Sequence, residues 1–508
     1  MTEYSADAAL VIDPRGQRNL LSWAMPALCC AILVGAAYPG IFLLVGEHND
    51  SRTILESAST ILSGHYQRSR SLGVPLYEFI VAAAIGLGGT ILANLYSVVM
   101  AVISVYLFDR LLGASLTLGR RALALVAFAL NPIFLTNASA VIEWMQVVVL
   151  LLCLLVLAGV ILRAPRASLF GWYGAASAAA VLTRPDLCLF CAALFVAMLW
   201  DKPDIRLAVR LTVVSVIAAG VTVAIFLCLN SISELSTAVT VEDREFVRRV
   251  GLAVVDTFAL LGIVGSAATI LILAGLAWTV WRPRGRSIPF DIKLLMLVLP
   301  LVAVRQVMLP SKVEFLFPLL IVFLLVAARH ANGWLLALLA ASLALGSVVQ
   351  LSFLDRKGDS DSLHVAVALN RGALAQDFER RVQNSELYDP AYLSAVAKAA
   401  YGADTTPLPS LHPHIFFPGL ISDTNDLIIG SHAAYMLDDP RFAFGPGRLM
   451  FPGNADSRRS VYRQIYICTK SLAAAGKGWR ILQPPTPAAR IDPVTRQLNA
   501  TCQLEVRQ

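Results

Sequence analysis

The first polar loop of the chain contains an acid that could act as a base. Asp50 lies just after the apolar run 20–45, within the polar segment 47–52. A carboxylate in such a place can take the proton of a hydroxyl nucleophile, as a general base does. An acid in a loop is also commonly a solvated surface residue. Its position directly after the first apolar run makes Asp50 the first candidate for a catalytic group.

Further acids and cations stand at the ends of later apolar runs. Glu143 precedes the run 144–162, Arg184 separates two runs, and Lys312 precedes the run 313–329. Ionisable side chains at membrane depth are costly, so they are functional candidates by default. Cations of this kind suit a phosphate, and arginine can bind one through two hydrogen bonds. An acid with such a phosphate clamp suggests transfer from a lipid-linked phosphate.

Each of these residues also has a purely structural interpretation. Glu143 could cap a helix N-terminus, where negative charge is favoured. Arg184 could anchor the end of a helix, and Lys312 could extend its ammonium group to the membrane interface. Arg68 and Arg70 could bind lipid head groups. The sequence leaves these alternatives open.

Composition sets the fold class in which these residues are placed. The chain has 508 residues, of which 57% are hydrophobic and 15% charged, whereas a soluble protein carries about 25% charged residues. Apolar runs close to the roughly 20 residues that cross a bilayer recur along the chain. We predict an all-α polytopic membrane protein with about eleven spans. They are 20–45, 94–114, 122–138, 144–162, 168–183, 187–200, 207–230, 251–280, 290–309, 313–329 and 333–354.

Loop charge decides the predicted topology. The segment 75–93 is apolar enough to span, but it contains Glu78 and a glycine-rich run. If it crossed, the basic clusters 120–121 and 282–286 would face outward. If it is interfacial or re-entrant and the N-terminus is cytoplasmic, Lys and Arg concentrate on the cytoplasmic side, as in most membrane proteins. This topology places all the candidate residues above outside the cytoplasm.

The last part of the chain has the composition of a soluble domain. We predict a transmembrane domain over 1–354 and a small extracytoplasmic α+β domain over 355–508, where Pro and Gly are frequent. The apolar run at 426–430 is typical of a short strand, and 458–476 is typical of a helix. The net charge of +7 lies in loops and indicates topology, not nucleic-acid binding.

Neither the histidines nor the cysteines predict a metal site. His65, His412 and His414 lack the spacing of a metal-ligand set. Cys468 and Cys502 could form a disulfide if their region lies outside the cytoplasm. Whether the two pair is left open.

Four stretches together resemble the GT-C superfamily of integral-membrane glycosyltransferases, which use polyprenyl-phosphate sugars. Relatives in it include protein O-mannosyltransferases, aminoarabinose transferases of lipid A and arabinosyltransferases. The resemblance covers about residues 20–330. The four stretches are Asn49-Asp50, residues 64–78, Asn131-Pro132-Ile133-Phe134 with Glu143, and residues 182–186 with 312–318 as a late counterpart.

The resemblance implies an inverting glycosyltransferase whose active site faces the exterior of the membrane. The richness of the chain in Ala, Leu, Val and Arg indicates a bacterial inner membrane. Asp50 would be the general base, and Glu143 and Glu78 would bind sugar or acceptor hydroxyls. Many relatives carry two adjacent acids in the first loop, whereas Asn49 precedes Asp50 here, which favours a metal-independent reaction. The expected partners are a polyprenyl-phosphate sugar, a glycan, lipid or protein acceptor and membrane lipid, with no further cofactor and no nucleic acid. The residues expected to hold the phosphate are Arg184, Lys312, Arg68 and Arg70.

Other functions stay open at this point. A flippase or transporter of lipid-linked glycans would be expected to show charges deep in its spans or inverted repeats, and Arg305 is the nearest case. A polymerase or ligase with a diphosphate-linked donor would be expected to concentrate Arg and His in a large late outer loop. The loop 231–250 is of mixed charge instead. A structural scaffold would not explain Asp50.

Overall fold

The structure is a computed structural model, and it falls into two compact units, Met1–Arg380 and Arg381–Gln508. The residues that the structure describes are 20–42, 49–62, 64–66, 68–70, 73–113, 116–229, 246–281, 288–310, 312–356, 363–375, 377, 426–428, 480–482 and 505–507.

The first unit consists mainly of helices. In chain order they are α1 (Leu20–Ile41), α2 (Asn49–Leu62), α3 (Pro75–Leu112), α4 (Leu118–Ala129), α5 (Pro132–Asn137), α6 (Trp144–Arg163), α7 (Ala167–Thr183), α8 (Leu187–Asp201), α9 (Ile205–Leu229), α10 (Phe246–Trp281), α11 (Phe290–Met308), the 3-10 turn Val313–Leu316, α12 (Phe317–His330) and α13 (Gly333–Val348).

The chain is a multi-pass membrane protein. In the described part of it, six helical segments are long and apolar enough to cross a membrane. A bilayer requires that backbone hydrogen bonds be made within the protein, and long helices make most of theirs internally. The predicted number of about eleven spans and the predicted orientation stay predictions. The six segments are Trp23–Ile41, Pro75–Leu112, Trp144–Arg163, Ile205–Leu229, Arg249–Trp281 and Val313–His330.

The segment 75–93, which we predict not to cross, is part of a kinked helix. Helix α3 runs from Pro75 to Leu112, but Gly88 and Gly89 have non-helical backbone angles, with a φ of 66° at Gly89. Only glycine adopts such a positive φ without strain. The kink therefore divides α3 near the end of the predicted segment. Whether the part before the kink lies in the interface stays a prediction.

Two of the predicted spans differ from the structure. The span 122–138 is wrong as a single helix, because α4 ends at Ala129 and the short helix α5 begins at Pro132. Proline lacks the N–H that would continue α4 and is favoured at the first position of a new helix. The side chain of Asn131 accepts a hydrogen bond from the Phe134 N–H at 2.9 Å and so caps α5.

The last predicted span, 333–354, is also shorter than expected. Helix α13 ends at Val348, and strand β1 (Val349–Arg356) follows at once. Strand β1 pairs antiparallel with β2 (Leu363–Arg371), and Val349 lies opposite Arg371. Apolar composition alone cannot distinguish a helix end from a strand, and β-branched residues such as Val348 and Val349 favour the strand.

Within the second unit the structure describes three short strands. They are β3 (Asp426–Ile428), β4 (Arg480–Leu482) and β5 (Glu505–Arg507), and they form a parallel sheet in that order. The strand predicted from the apolar run at 426–430 is confirmed over β3. The predicted helix 458–476 and the possible Cys468–Cys502 pair lie outside the described residues. The division predicted at 354/355 stays a prediction.

Among the described residues, two apolar cores hold helices of the first unit together. The larger one includes Phe108 and Phe128, whose rings stack at 4.2 Å between centroids. The smaller one joins α2 to the start of α3 through Ile54, Leu55 and Tyr77, among others. Lipid tails are as apolar as these side chains, so close packing supplies the stability, not the removal of apolar surface from water. The smaller core fixes α2, which carries Asp50, on α3.

Candidate active site

Glu143 is the centre of the candidate site. It directly precedes α6, its side chain is fully buried, and it makes no capping hydrogen bond to the N–H groups of that helix. A buried carboxylate is costly unless charged or polar groups bind it. The structure supplies two arginines from distant parts of the chain, so ion pairing and not helix capping accounts for Glu143.

Arg70 binds both oxygens of Glu143. Its Nη1 donates to Oε1 at 2.6 Å and its Nη2 to Oε2 at 3.0 Å. This two-bond geometry is the strongest that a guanidinium makes with a carboxylate. The Arg70 side chain keeps 22% of its surface exposed. It therefore combines a fixed orientation with access from outside the protein.

Arg184 binds the same carboxylate from the end of α7. Its Nη1 donates to Oε1 of Glu143, and its Nε lies 3.0 Å from Oδ1 of Asp186. Arg184 is placed here because α7 ends at Thr183, and because Pro185, which follows Arg184, cannot continue the helix. The predicted residues Arg70, Glu143 and Arg184 thus form one direct contact cluster.

Aromatic rings enclose the Arg184 guanidinium. Its Cζ lies 3.9 Å from the ring centroid of Trp144 and 4.5 Å from that of Phe315. Cations are attracted to the faces of aromatic rings, and arginine is well suited to such stacking. Phe315 lies on the 3-10 turn that Lys312 precedes. The turn therefore brings its aromatic ring to this region, and the predicted role of Lys312 in holding a phosphate stays a prediction.

Arg305 and Asp186 are two further members that the sequence analysis did not assign to the site. Arg305 lies on α11, and its Cζ is 4.3 Å from the ring centroid of Phe315. Its Nε is 3.8 Å from Oδ2 of Asp186. Arg184 and Arg305 therefore both contact Phe315 and both face Asp186. A cation within an apolar run is unusual at membrane depth, and this was the sequence signal that could have identified Arg305.

An apolar cavity opens beside these residues. It is an open pocket whose space, including solvent at its mouth, is about 440 Å³, and Asp186 and Arg305 are the charged residues in its wall. Small-molecule sites commonly combine apolar walls with a few polar groups in this way. The other lining residues are Trp144, Leu187, Leu189, Phe190, Val298, Leu301, Val302, Phe315 and Pro318.

The loop that carries Arg70 is fastened by Glu78. The fully buried Glu78 accepts hydrogen bonds from the Tyr66 hydroxyl and from the Ser69 N–H, both at 2.7 Å. Burial, followed by the charge of Glu78, raises the pKa of Tyr66, so its hydroxyl stays a donor. Both oxygens of Glu78 are engaged in holding the loop. Its predicted role in binding sugar or acceptor stays a prediction.

Gly73 closes the same loop at a close approach. Its φ is +71°, and a Cβ there would lie 2.5 Å from the Tyr66 hydroxyl oxygen. Glycine alone meets both demands without strain. Arg68, which is half-buried, lies on this loop between Tyr66 and Arg70. These contacts among the described residues of the loop present the Arg70 guanidinium to Glu143.

A chain of hydrogen bonds links the helices beside the site. The Tyr96 hydroxyl donates to Oε1 of Gln146 at 2.8 Å, and Nε2 of Gln146 donates to the Thr183 hydroxyl at 2.7 Å. The chain joins α3, α6 and α7 directly beside Glu143 and Arg184. Satisfied buried networks of this kind fix the relative positions of helices.

Asp50 lies in the first turn of α2, and its side chain is outside the described residues. The helix itself is well placed. Ile54 and Leu55, one turn further along α2, share a buried core with Val141, two residues before Glu143. The structure thus places the helix that carries Asp50 and the turn that carries Glu143 on one shared apolar core. The catalytic role of Asp50 stays a prediction.

The cluster carries an excess of positive charge. Arg70, Arg184 and Arg305 face the two carboxylates of Glu143 and Asp186, which leaves a net charge of +1 for these five residues. Such an arrangement favours an anion. Among the described residues, no group of three or more His, Cys, Asp or Glu is placed to hold a metal ion.

Comparison with known proteins gives one similar structure. No protein-family profile and no characterised protein sequence matches the chain. The chain is similar to a solved structure of ArnT from Cupriavidus metallidurans bound to undecaprenyl phosphate. The identity is 13%, the TM-score is 0.42, and the match covers 96% of this chain and 90% of that one.

Proposed function

We propose that the chain is a membrane glycosyltransferase that moves a sugar from a polyprenyl-phosphate donor to an acceptor hydroxyl. The proposed location is the outer face of a bacterial inner membrane. One observation carries the proposal: a cluster with excess positive charge, built on Glu143, borders an open pocket with mostly apolar walls. An anion with a long apolar chain matches both parts of this site.

The phosphate is the ligand that the cluster suits best. Arg184 and Lys312 are proposed to hold it, with help from Arg68 or Arg70, as the sequence predicts. Arg305 joins this set because it lies in the cavity wall and meets Asp186 only at 3.8 Å. Fixed cations stabilise the charge that develops on a leaving phosphate. The prenyl chain would lie against the apolar cavity wall.

Asp50 is proposed as the general base. Its carboxylate would take the proton of the acceptor hydroxyl, whose oxygen then bonds to the anomeric carbon. The bond from that carbon to the phosphate oxygen breaks, and polyprenyl phosphate leaves with the bonding electron pair. Attack opposite the leaving group inverts the anomeric centre. The reaction is proposed to need neither a metal nor a further cofactor.

Glu143 is proposed to organise the site. Its carboxylate binds both Arg70 and Arg184 and so fixes their positions. It could also accept hydrogen bonds from sugar or acceptor hydroxyls, or tune the basicity of Asp50. Glu78 is proposed to act mainly through the loop, because both of its oxygens already accept hydrogen bonds. The acceptor is proposed to be a glycan, lipid or protein hydroxyl.

The test is sugar transfer by the purified protein in nanodiscs. A panel of radiolabelled polyprenyl-phosphate sugars is offered together with cell-envelope acceptors. We expect transfer by the wild type, and a loss of about 10²–10⁴-fold in Asp50→Asn, the usual contribution of a general base. Glu56→Gln removes another acid from the same helix α2 and is expected to keep near wild-type transfer.

The outcomes separate the proposal from its alternatives. Normal turnover by Asp50→Asn would refute the assignment of the base while leaving the transferase class intact. If folded wild type uses no monophosphate donor, the class itself is wrong. The same nanodiscs would then be assayed for movement of lipid-linked glycans across the bilayer and for use of diphosphate-linked oligomers.

A further inference from the structure

A second charged surface lies at the other end of the helices that build the candidate site. Helix α6 begins beside Glu143 and ends at Arg163. Helix α7 then returns from Ala167 to Thr183, directly before Arg184. A helix of 20 residues is about 30 Å long. The connections α6–α7 and α8–α9 are therefore remote from Glu143, at the opposite ends of the same helices.

Exposed cations concentrate on these two connections. We define the basic surface as Arg166, Lys202, Arg206 and Arg210, all of which are exposed. The exposed acid on these two connections is Asp204, whose carboxylate accepts a hydrogen bond from the Arg206 N–H at 2.9 Å. The basic surface is thus strongly positive, and Asp204 is already bound to the backbone.

Contacts between neighbouring elements hold the basic surface together. The Lys202 ammonium donates to the Leu162 carbonyl at 3.5 Å, which ties the α8–α9 connection to the end of α6. The Arg210 Cζ lies 5.8 Å from the ring centroid of Phe170, which ties α9 to α7. The four cations therefore belong to one continuous region of the protein.

The charges of α9 are unfavourable in the protein alone. Arg206 and Arg210 are four residues apart, so they lie on the same helix face and repel each other. Arg206 also stands in the first turn of α9, where the helix dipole disfavours a cation and where the nearby acid, Asp204, is bound to the backbone. The described residues offer no ion-pair partner to Arg206 or Arg210. A bound anion would relieve both conflicts.

An apolar face continues directly from these cations along α9. Ile205, Val209 and Val213 follow one another at intervals of four residues and are 75%, 55% and 52% exposed. Of the window that could span the membrane in α9, only 22% is buried within the protein. Cations at the end of an exposed apolar helix face match a molecule with an anionic head and an apolar chain.

We infer that the basic surface binds the headgroup of an anionic phospholipid, whose acyl chain lies along the apolar face of α9. The occupant is a lipid and not a free phosphate because the cations and the apolar face are continuous. Basic residues at a membrane surface attract anionic lipids in this way. The inference is independent of the proposed transfer reaction, since it concerns the opposite end of the helices.

The test measures lipid retained by the purified full-length protein. Delipidated protein is titrated with phosphatidylglycerol or with phosphatidylcholine, and bound lipid is counted by native mass spectrometry. We expect the wild type to prefer phosphatidylglycerol. We expect Arg206→Gln/Arg210→Gln to bind it at least about tenfold more weakly, because two headgroup contacts are lost. Arg206→Lys/Arg210→Lys keeps the charge and is expected to retain binding.

A matched control and a competitor distinguish the other possibilities. Arg248→Gln/Arg249→Gln makes the same change of charge in the first turns of α10 and is expected to leave retention unchanged. Equal retention by the wild type and by Arg206→Gln/Arg210→Gln, or an equal loss in the control, would overturn the inference. So would displacement of phosphatidylglycerol by millimolar inorganic phosphate, which would indicate a site for a small anion.

Discussion

Arg70 and Glu143 are 73 residues apart in the chain and form a two-bond ion pair, with distances of 2.6 Å and 3.0 Å. The pair joins the loop before α3 to the start of α6. Arg184 adds a third charge on the same carboxylate. Removal of one partner from such a buried group leaves the others uncompensated, so the cluster is sensitive to single changes.

Glu143→Gln is therefore expected to destabilise the protein by about 3 kcal/mol, the lower end of the cost of breaking a buried pair. The measurement is the free energy of unfolding in detergent. A double-mutant cycle with Arg70→Gln should show a coupling of at least about 1 kcal/mol. A cycle with Arg163→Gln, at the far end of α6, should be additive. Additivity with Arg70→Gln would mean that the observed pair contributes nothing.

Gly73→Ala is expected to disturb the loop that presents Arg70. The new Cβ would lie 2.5 Å from the Tyr66 hydroxyl oxygen, so Tyr66 must leave Glu78. Gly64→Ala is the matched control, because Gly64 also has a positive φ, of +91°, but has no atom within 4 Å of the new Cβ. Both variants incur a backbone cost of about 1–2 kcal/mol.

We expect sugar transfer to fall clearly further in Gly73→Ala than in Gly64→Ala. The additional change Tyr66→Phe removes the oxygen that clashes and should restore part of the lost transfer. Equal effects of the two glycine substitutions, with no recovery on Tyr66→Phe, would show that backbone strain alone is responsible.

Val302→Trp is expected to fill the cavity beside the cluster. Val302 lines the cavity and is 8% exposed, whereas Val304 on the same helix is 62% exposed. If the cavity holds the prenyl chain, Val302→Trp should raise KM for a long-chain donor more than for a short-chain one. Val304→Trp adds the same side chain outside the cavity and should change neither value. A rise in KM that is the same for both donor lengths would show that the prenyl chain does not lie in this cavity.

Arg305→Gln is expected to weaken donor binding by about tenfold, which corresponds to about 1.4 kcal/mol for one charged contact. The measurement is KM for the donor at fixed acceptor concentration. Arg305→Lys keeps the charge but loses the contact of the guanidinium with the Phe315 ring. Its KM for the donor should therefore lie between those of the wild type and Arg305→Gln. Unchanged KM in both variants would exclude Arg305 from the phosphate site.

The sequence by itself determined the class of the protein and several of its helix ends. Low charge and long apolar runs leave few alternatives to a multi-pass membrane protein, because a bilayer demands helices of about 20 residues. Glu143 at the start of α6 and Arg184 at the end of α7 follow from the same pattern, since charged residues end apolar runs. Where the pattern was ambiguous, at Asn131-Pro132 and Val348-Val349, local breaks in the apolar runs were missed.

Only the tertiary structure decided which charges meet. Nothing in the spacing of Arg70, Glu143 and Arg184 indicates that they share one carboxylate, because contacts between helices depend on packing and not on sequence separation. The same holds for Asp186 and Arg305, which Phe315 and the cavity bring into the site. The sequence named the charged groups, and the packing of α3, α6, α7 and α11 selected which of them form a site.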